Sequence, residues 1–495
     1  MKILLINPPQ SFYPGSDAPA GNLPLGLMYI AAVLDKEGYK VEILDAFMTG
    51  SSFQKAGDIV EVGMPYRKIK EEIARIGPDI VGISNPFTCQ TENATKVADI
   101  VKEVNPNILT VVGGPHTTVV PINFLEAARN VDLAVVGEGE YTMLDIVKYC
   151  EGHKRIADIQ GIAYRQTNEL TLNSPRPFIE NLDELPYPAY HFVNMEQYLN
   201  PDRIEYRSFK DHAISMITSR GCPFNCNFCS VHLHMGKTFR AHSADYVIEH
   251  IKYVIEEYRV KTIFFEDDNL TLDQKRFETI CDKIIENNIH VKWETPNGIR
   301  ADHLTENLLK KMKASGCQSV IFAIESGDQF ILDKVINKSL KIEDAIRVAK
   351  MCKELDLPAS AFYIIGFPGE KKENMMKTVN LALRLKREYD LGMHLHIATP
   401  LYGTRLYEEC KDKGFIRANL THRDLAEVRQ TRGMPLIETG DFTPNEVKRI
   451  AIEAFKEYKR LSIINYVKNP KKTLKSALTY PPIVTKFISD YFRHD

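Results

Sequence analysis

Over residues 1–150 and again over 211–425 one pattern repeats: a short β-rich apolar run, a turn of small or polar residues, then a stretch of helical periodicity. A chain built this way sets its strands parallel, because a crossing helix separates each strand from the next. In residues 1–150 the apolar runs are Lys2–Asn7, Lys40–Leu44, Asp79–Ser84, Ile108–Gly113 and Leu133–Val136. Helical periodicity lies near Leu25–Lys36, Lys68–Ile76, Thr91–Val104, Ile122–Arg129 and Tyr141–Tyr149. Five such units predict an α/β, flavodoxin-like doubly wound sheet. Six more runs follow at Ala213–Thr218, Thr262–Glu266, Val291–Thr295, Ser319–Ile324, Ala359–Ile364 and His394–Ala398, which predict a partial (β/α)6 barrel over residues 211–425. Both architectures place ligands at the carboxyl ends of their strands, so the residues there are the candidates for chemistry.

The loop after Ala213–Thr218 reads Cys222-Pro-Phe-Asn-Cys226-Asn-Phe-Cys229. Three thiolates in one tight loop suit three corners of a 4Fe-4S cubane and leave the fourth iron open. A structural zinc site wants a fourth Cys or His, for which His232 and His234 are the near candidates. A strand before the loop and five strand–helix units after it do not describe a zinc module. The spacing, with Phe228 just before the last cysteine, resembles the radical S-adenosylmethionine (SAM) superfamily. The resemblance implies that the open iron chelates SAM. One electron would then cleave SAM to methionine and a 5′-deoxyadenosyl radical.

Composition narrows the setting. The 495 residues are enough for two or three domains, and 44% hydrophobic with 26% charged content is that of an ordinary globular chain. A net charge of −2 gives no global electrostatic case for nucleic acid. Nine cysteines without small-domain spacing point to a reducing compartment and metal use rather than disulfides. The N-terminus, Met1-Lys-Ile-Leu-Leu-Ile-Asn-Pro-Pro, is broken too soon for a signal peptide. No apolar stretch reaches the ~18–20 residues of a spanning helix, so the expected location is cytoplasmic.

In the first domain the strand ends carry Asn7-Pro8-Pro9, Asp45, Ser84-Asn85, Gly113-Gly114-Pro115-His116 and Gly137-Glu138-Gly139-Glu140. With Pro24-Leu-Gly-Leu and Tyr29-Ile-Ala-Ala, these resemble the cobalamin-binding domain that precedes many radical SAM cores. The resemblance implies that Ser84, Gly113, Gly114, Gly137 and Glu138 line a corrin site, with His116 touching corrin or phosphate. A satisfied turn histidine is the other reading of His116. The cobalamin motif Asp-x-His-x-x-Gly has its counterpart in Asp45-Ala-Phe-Met-Thr-Gly50, with Phe47 in the histidine position. The expectation is therefore base-off cobalamin without a histidine ligand. Glycine-rich turns after parallel strands also fit a domain that has lost its ligand.

In the second domain, the resemblance implies SAM or substrate contacts from Glu266 and Asp268 after the second strand and from Asn297 and Arg300 after the third. It implies the same for Glu325 and Ser326 after the fourth and Gly366 after the fifth. Helix capping is the competing use of each acid. Thr399-Pro-Leu-Tyr-Gly-Thr404 closes the series. Where relatives carry Arg-x-Arg after the cysteine loop, this chain has Arg240-Ala-His242. For His232, His234 and His242, surface or packing roles compete with acid–base chemistry.

Residues 151–210 read as a hairpin, Gly161–Tyr164 with Leu170–Leu172, followed by the extended connector Ile179-Glu-Asn-Leu-Asp-Glu-Leu-Pro-Tyr-Pro-Ala-Tyr190. Residues 426–495 read as helical, starting at the capping box Thr443-Pro-Asn-Glu446. From Lys456 to Asp495, nine Lys/Arg against three Asp/Glu give a formal +6, interleaved with apolar residues. Such a tail suits peripheral contact with an anionic membrane, a lipid-like substrate, or simple docking with a solvated basic face.

The functional expectation is a cobalamin-dependent radical SAM enzyme that methylates an unactivated carbon of a small-molecule or lipid-like substrate. A flavodoxin or ferredoxin would supply electrons. The alternatives are an oxidative cyclase or rearrangement enzyme without methyl transfer, and a non-catalytic cobalamin- or lipid-binding protein with a structural cluster.

Overall fold

The computed structural model describes residues 1–12, 22–49, 52–56, 59–166, 169–199, 212–418, 420–421, 424–425 and 434–468. In chain order the strands are β1 (Lys2–Asn7), β2 (Gln10–Phe12), β3 (Lys40–Asp45), β4 (Ser52–Ala56), β5 (Ile59–Gly63), β6 (Ile80–Ser84), β7 (Leu109–Gly113), β8 (Leu133–Val135), β9 (Ile162–Gln166) and β10 (Glu169–Leu172). They continue with β11 (Ala213–Met216), β12 (Ser219–Arg220), β13 (Arg240–Ala241), β14 (Thr262–Phe265), β15 (Lys292–Glu294), β16 (Cys317–Glu325), β17 (Ala359–Ile365) and β18 (Gly392–Ile397).

The first sheet has the order β10-β9-β8-β7-β6-β1-β3. Its strands from β3 to β8 are parallel, as the alternating pattern requires. Helices cover both faces, so the strands read as continuous apolar runs. In β1, Ile3 and Leu5 join the core on one face, while Leu4 and Ile6 join the core on the other. The hairpin read from Gly161–Leu172 forms as β9 and β10, and β9 pairs antiparallel to β8. Its hydrogen bonds thus extend the first sheet, although the sequence division places it in the connector.

A small antiparallel sheet, β2-β5-β4, was not anticipated. Its strands are three to five residues long, too short for a clear period. The available signal was Gly57-Asp58 between the two longer ones, a two-residue hairpin cue.

The second sheet, β11-β14-β15-β16-β17-β18, is wholly parallel and open: the partial barrel the sequence predicts. Its outer helices begin where their caps dictate. Ser243, Asp273, Thr305 and Thr404 each accept a bond from the backbone N–H three residues on. The C-terminal helix Pro444–Lys468 starts at the capping box, where the Glu446 carboxylate accepts from Thr443 N at 2.9 Å. It lies on helix Lys372–Tyr389, with Lys386 Nζ 5.2 Å from the centre of the Tyr458 ring. Most of the basic tail lies outside the described residues. Among those described, no helix is long and apolar enough to cross a membrane.

Candidate active site: a cysteine loop facing a glycine-rimmed cleft

The two-stranded ladder of β12 and β13 closes the neck of the cysteine loop. The turn into the loop needs Gly221: its φ is +83°, and a Cβ there would stand 2.3 Å from Thr238 O. The loop is then tied down from outside. Asn227 N donates to Ile336 O at 2.9 Å, Asn337 Nδ2 to Asn225 O at 3.1 Å, and Leu406 N to Asn227 O at 3.0 Å. The segment that grips it is a π-helix, Ile331–Ile336, followed by Asn337 and Ser339 at positive φ. Strain of this kind gathers at functional sites.

Cys222, Cys226 and Cys229 are half-buried and free. Burial raises the Cys226 thiol, with the Lys338 ammonium pulling the other way. Burial pushes Cys229 up to about 12. Thiols in this state stay protonated until a metal takes the proton's place. Asn269, buried, turns Nδ2 toward Cys222 Sγ at 3.9 Å, and its Oδ1 has no partner among the described residues. Among the described residues no three His, Cys, Asp or Glu side chains converge closely enough for one metal ion. A cubane asks for something wider, one thiolate at each of three corner irons. The donor set fits that.

Around this loop the structure sorts the acids read from the sequence. Glu266 accepts from Ser215 Oγ at 3.1 Å, and its carbonyl receives Asn297 Nδ2 at 2.8 Å. Asp267 is wholly committed to Thr218 and Ser219, holding β12 in place. Asp268 is half-buried, has no hydrogen-bond or ion-pair partner among the described residues, and is pushed up to about 6 by burial and by Asp267. Its charge is felt at Cys229.

Four of the expected SAM contacts are already bonded to protein. Arg300 bonds Asp302 and the carbonyls of Lys338 and Ser339, with its guanidinium 3.7 Å from the Phe224 ring centre. It braces the cysteine loop. Glu325, at φ +70° on an irregular step of the β16–β17 ladder, is ion-paired to Lys338 Nζ at 2.8 Å. Ser326 Oγ is shared with Thr378 Oγ1 and Asp328 N. Gly366 N donates to Glu370 Oε2 at 2.7 Å, and Phe228 packs on Phe367 in the same turn. Lys338 escaped the sequence reading because no period or motif marks it, whereas Asn269 closes the Glu266-Asp-Asp-Asn stretch expected to line the SAM or substrate pocket. His242 stacks on Tyr246 with centroids 3.9 Å apart and bonds Asp183, a packing role.

The other rim is a cleft of about 210 Å³ over the ends of β1, β6, β7 and β8. Ser84, Gly113, Gly114 and Gly137 line it, with Leu25, Tyr29 and Ile30 on the opposite wall. Ile217, Arg220, His234 and Met235, from around the cysteine loop, close over it. Gly137 has φ +86° and nothing within 4 Å of where a Cβ would stand. His234 Nδ1 is buried there without a partner among the described residues. The enclosed part is below the ~300–1,000 Å³ that swallows a drug-sized ligand. It has room for part of a large ligand. On these observations the residues fit cobalamin.

Four sequence-predicted corrin residues lie elsewhere or are engaged. Asp45 is the last residue of the edge strand β3, one strand from the cleft. It is buried and locks its own loop by accepting from Phe47 N, Met48 N and Asn7 Nδ2, and it also bonds Tyr198 OH. Phe47 is buried against Phe12. Gly50 lies outside the described residues. His116 is buried beside Thr88, Phe124 and Tyr402, at a separate interdomain cavity of about 700 Å³. Glu138 touches the cleft, but its carboxylate holds Arg220 and Arg240, each at 2.8 Å.

A cysteine loop above an open parallel barrel, facing a cleft at the strand ends of a doubly wound domain, defines a two-cofactor radical enzyme. The comparisons agree. A radical SAM superfamily model matches residues 216–382, and a B12 binding domain model matches residues 20–147. The chain is 32% identical to the uncharacterized methyltransferase PH0819 of Pyrococcus horikoshii, across 98% of this chain and 96% of that one. It is 31% identical to the cytidylyl-2-hydroxyethylphosphonate methyltransferase of Streptomyces wedmorensis, across 84% and 82%. The solved structure of the radical SAM methyltransferase TsrM from Kitasatospora setae, with cobalamin and a 4Fe-4S cluster bound, shares the fold. Its TM-score is 0.68 over 91% of this chain and 85% of that one, at 16% identity. The chain belongs to the cobalamin-binding radical SAM family, whose cofactors are a 4Fe-4S cluster, SAM and cobalamin.

Proposed function

We propose that this protein methylates an unactivated carbon of a small organic molecule. One observation carries the reading: His234 and Met235, a few residues beyond Cys229, line the same cleft as Ser84, Gly113 and Gly137. Two cofactors held there would face each other. When bound, the cluster and cobalamin supply reductive cleavage of SAM and delivery of a methyl group. The chain's own work is placement. Cys222, Cys226 and Cys229 hold the cluster, with Asn269 donating toward Cys222. Asp268, unpartnered and close to the loop, suits the ammonium or ribose hydroxyls of SAM. The bare turn at Gly137 leaves open space where a side chain would stand and so lets a flat ligand approach the backbone, while Gly114 is glycine because a Cβ would stand 2.5 Å from Asn85 O.

Two relatives above 30% identity carry the name methyltransferase, which supports methyl transfer. Likeness to the anaerobic magnesium-protoporphyrin IX monomethyl ester cyclase of Rubrivivax gelatinosus, 28% identical across 83% of this chain, favours a second reading, oxidative cyclisation without methyl gain. A flavodoxin- or ferredoxin-type electron donor and a cytoplasmic setting belong to the proposal. Cys150, Cys281, Cys317, Cys352 and Cys410 are free thiols, as are the three of the loop, which supports a reducing compartment.

The test is anaerobic reconstitution with iron, sulfide and cobalamin, then SAM and a reductant with candidate substrates. The expected result is a retained corrin band, 5′-deoxyadenosine together with S-adenosylhomocysteine, and a product heavier by one methylene unit. An iron–sulfur band without retained corrin overturns methyl transfer from cobalt. Deoxyadenosine without S-adenosylhomocysteine moves the reading to the cyclase.

A further inference from the structure

Arg220 and Arg240 sit directly opposite each other in the β12–β13 ladder, at the neck through which the cysteine loop enters and leaves. Like charges so placed repel. Both are buried, with side chains 8% and 5% exposed. The compensating charge comes from the other domain. Glu138, in the turn after β8, accepts Arg220 Nη1 and Arg240 Nη1 on the same oxygen at 2.8 Å. Its second oxygen accepts Ile179 N at 2.7 Å and Arg240 Nη1 at 3.0 Å. Glu140, two residues on, accepts Arg220 Nη2 at 2.7 Å. Two cations and two anions, sealed from water, sum to zero. The same four residues span the gap between the cleft and the cysteines: Arg220, Glu138 and Glu140 line the cleft, and Arg220 lies two positions before Cys222.

We propose that Glu138 is a positioning residue: its carboxylate bolts the neck of the cysteine loop to the rim of the corrin cleft and so fixes the separation of the two cofactors. Neither domain supplies the bolt alone. Without the carboxylate, two opposed buried guanidinium groups share one remaining anion, and the neck opens. Unpaired buried charge is among the costliest local defects. The functional half of the proposal rests on the two-cofactor reading above. The mechanical half does not.

The test uses holoenzyme reconstituted with iron, sulfide and cobalamin, comparing wild type with Glu138→Gln. Hydrogen–deuterium exchange is followed in peptides covering residues 219–241, with metal and corrin content measured on the same samples. Neck amides should exchange on the order of 100-fold faster in Glu138→Gln, while β1 and β6 exchange as in wild type. Pulsed electron paramagnetic resonance between Co(II) cobalamin and the reduced cluster should give one narrow distance in wild type and a broadened distribution in the variant. A general loss of packing near the cleft would not separate these two readouts from corrin content.

The double variant Glu138→Gln/Arg240→Gln restores charge balance, and its neck should return toward wild-type exchange. Unchanged neck exchange in Glu138→Gln, or a double variant no better than the single, overturns the bolt. Should Glu138→Gln fail to fold, Arg220→Lys decides the matter. It keeps the charge but cannot span both carboxylates, so about tenfold faster neck exchange is expected. Wild-type exchange there is equally fatal. If wild type itself retains no cobalamin, the functional reading fails while the neck exchange still reports on the bolt.

Discussion

At the carboxyl ends of β6, β7 and β8 the molecule shows small residues: Ser84, Gly113, Gly114 and Gly137 line a cleft whose lining also includes the largely apolar side chains of Leu25, Tyr29 and Ile30. At the corresponding ends of β14, β16 and β17 it shows crowded side chains, and most are already bonded to protein: Asp267 to Thr218 and Ser219, Glu325 to Lys338, Ser326 to Thr378. The first rim leaves room at Gly137, where nothing stands within 4 Å of a would-be Cβ. The second fixes a small loop in three dimensions and, among the described residues, leaves the three thiols, Asp268 and Asn269 Oδ1 uncommitted. A rim that binds by shape needs glycine. A rim that binds by covalent ligation needs rigidity behind the ligands, which is what Arg300 under Phe224 and the π-helix carbonyl on Asn227 provide.

The largest expected effect is at the second rim. Cys226→Ala removes one of three thiolates and should abolish cluster assembly, leaving no 5′-deoxyadenosine above the enzyme-free background. Turnover surviving in that variant would break the contrast at its root.

The first rim is probed by Gly137→Leu. Its φ of +86° strains any side chain, and the leucine would occupy open space in the cleft. Cobalamin retention after desalting should fall on the order of 10–100-fold with iron content unchanged. Parallel loss of iron would mean the two rims are not built independently.

A smaller effect separates rigid support from ligand contact. Glu370, behind Gly366, is raised to about 8 by burial. A carboxyl raised in the native state binds its proton more tightly there than in the unfolded chain. Its stabilisation is therefore complete below the ordinary glutamate range and drains as pH climbs toward 8. Wild type should lose several degrees of melting temperature between pH 6 and 9, and Glu370→Gln should show a flatter profile. Equal slopes would remove Glu370 from the account of the turn.

The smallest expected effect is Phe47→His. Because Phe47 packs on Phe12 and does not line the cleft, the spectrum of bound cobalamin should stay as in wild type. A shift to a nitrogen-ligated spectrum would bring the Asp45 loop beneath the corrin after all.

The architecture was legible because alternating apolar and amphipathic stretches have few three-dimensional solutions. The runs at Lys2–Asn7 and Ala359–Ile364 became β1 and β17 almost residue for residue. The short sheet β2-β5-β4 was not, since strands of three to five residues carry too little period to stand out from loop. The cysteines were legible because their spacing is itself the chemistry.

The charged candidates fared otherwise. Asp45 matched a motif in spacing, but β3 lies at the sheet edge, and only strand order reveals that. Glu138 and Arg220 stand 82 residues apart and meet only because two domains close on each other. Sequence by itself determined the strand–helix alternation, the three-thiolate loop and the glycines at the strand ends, all written in local spacing. The tertiary structure alone decided which acids and cations stay free for a ligand. A buried charge takes the nearest opposite charge in space, and nothing in the local sequence says which one that is.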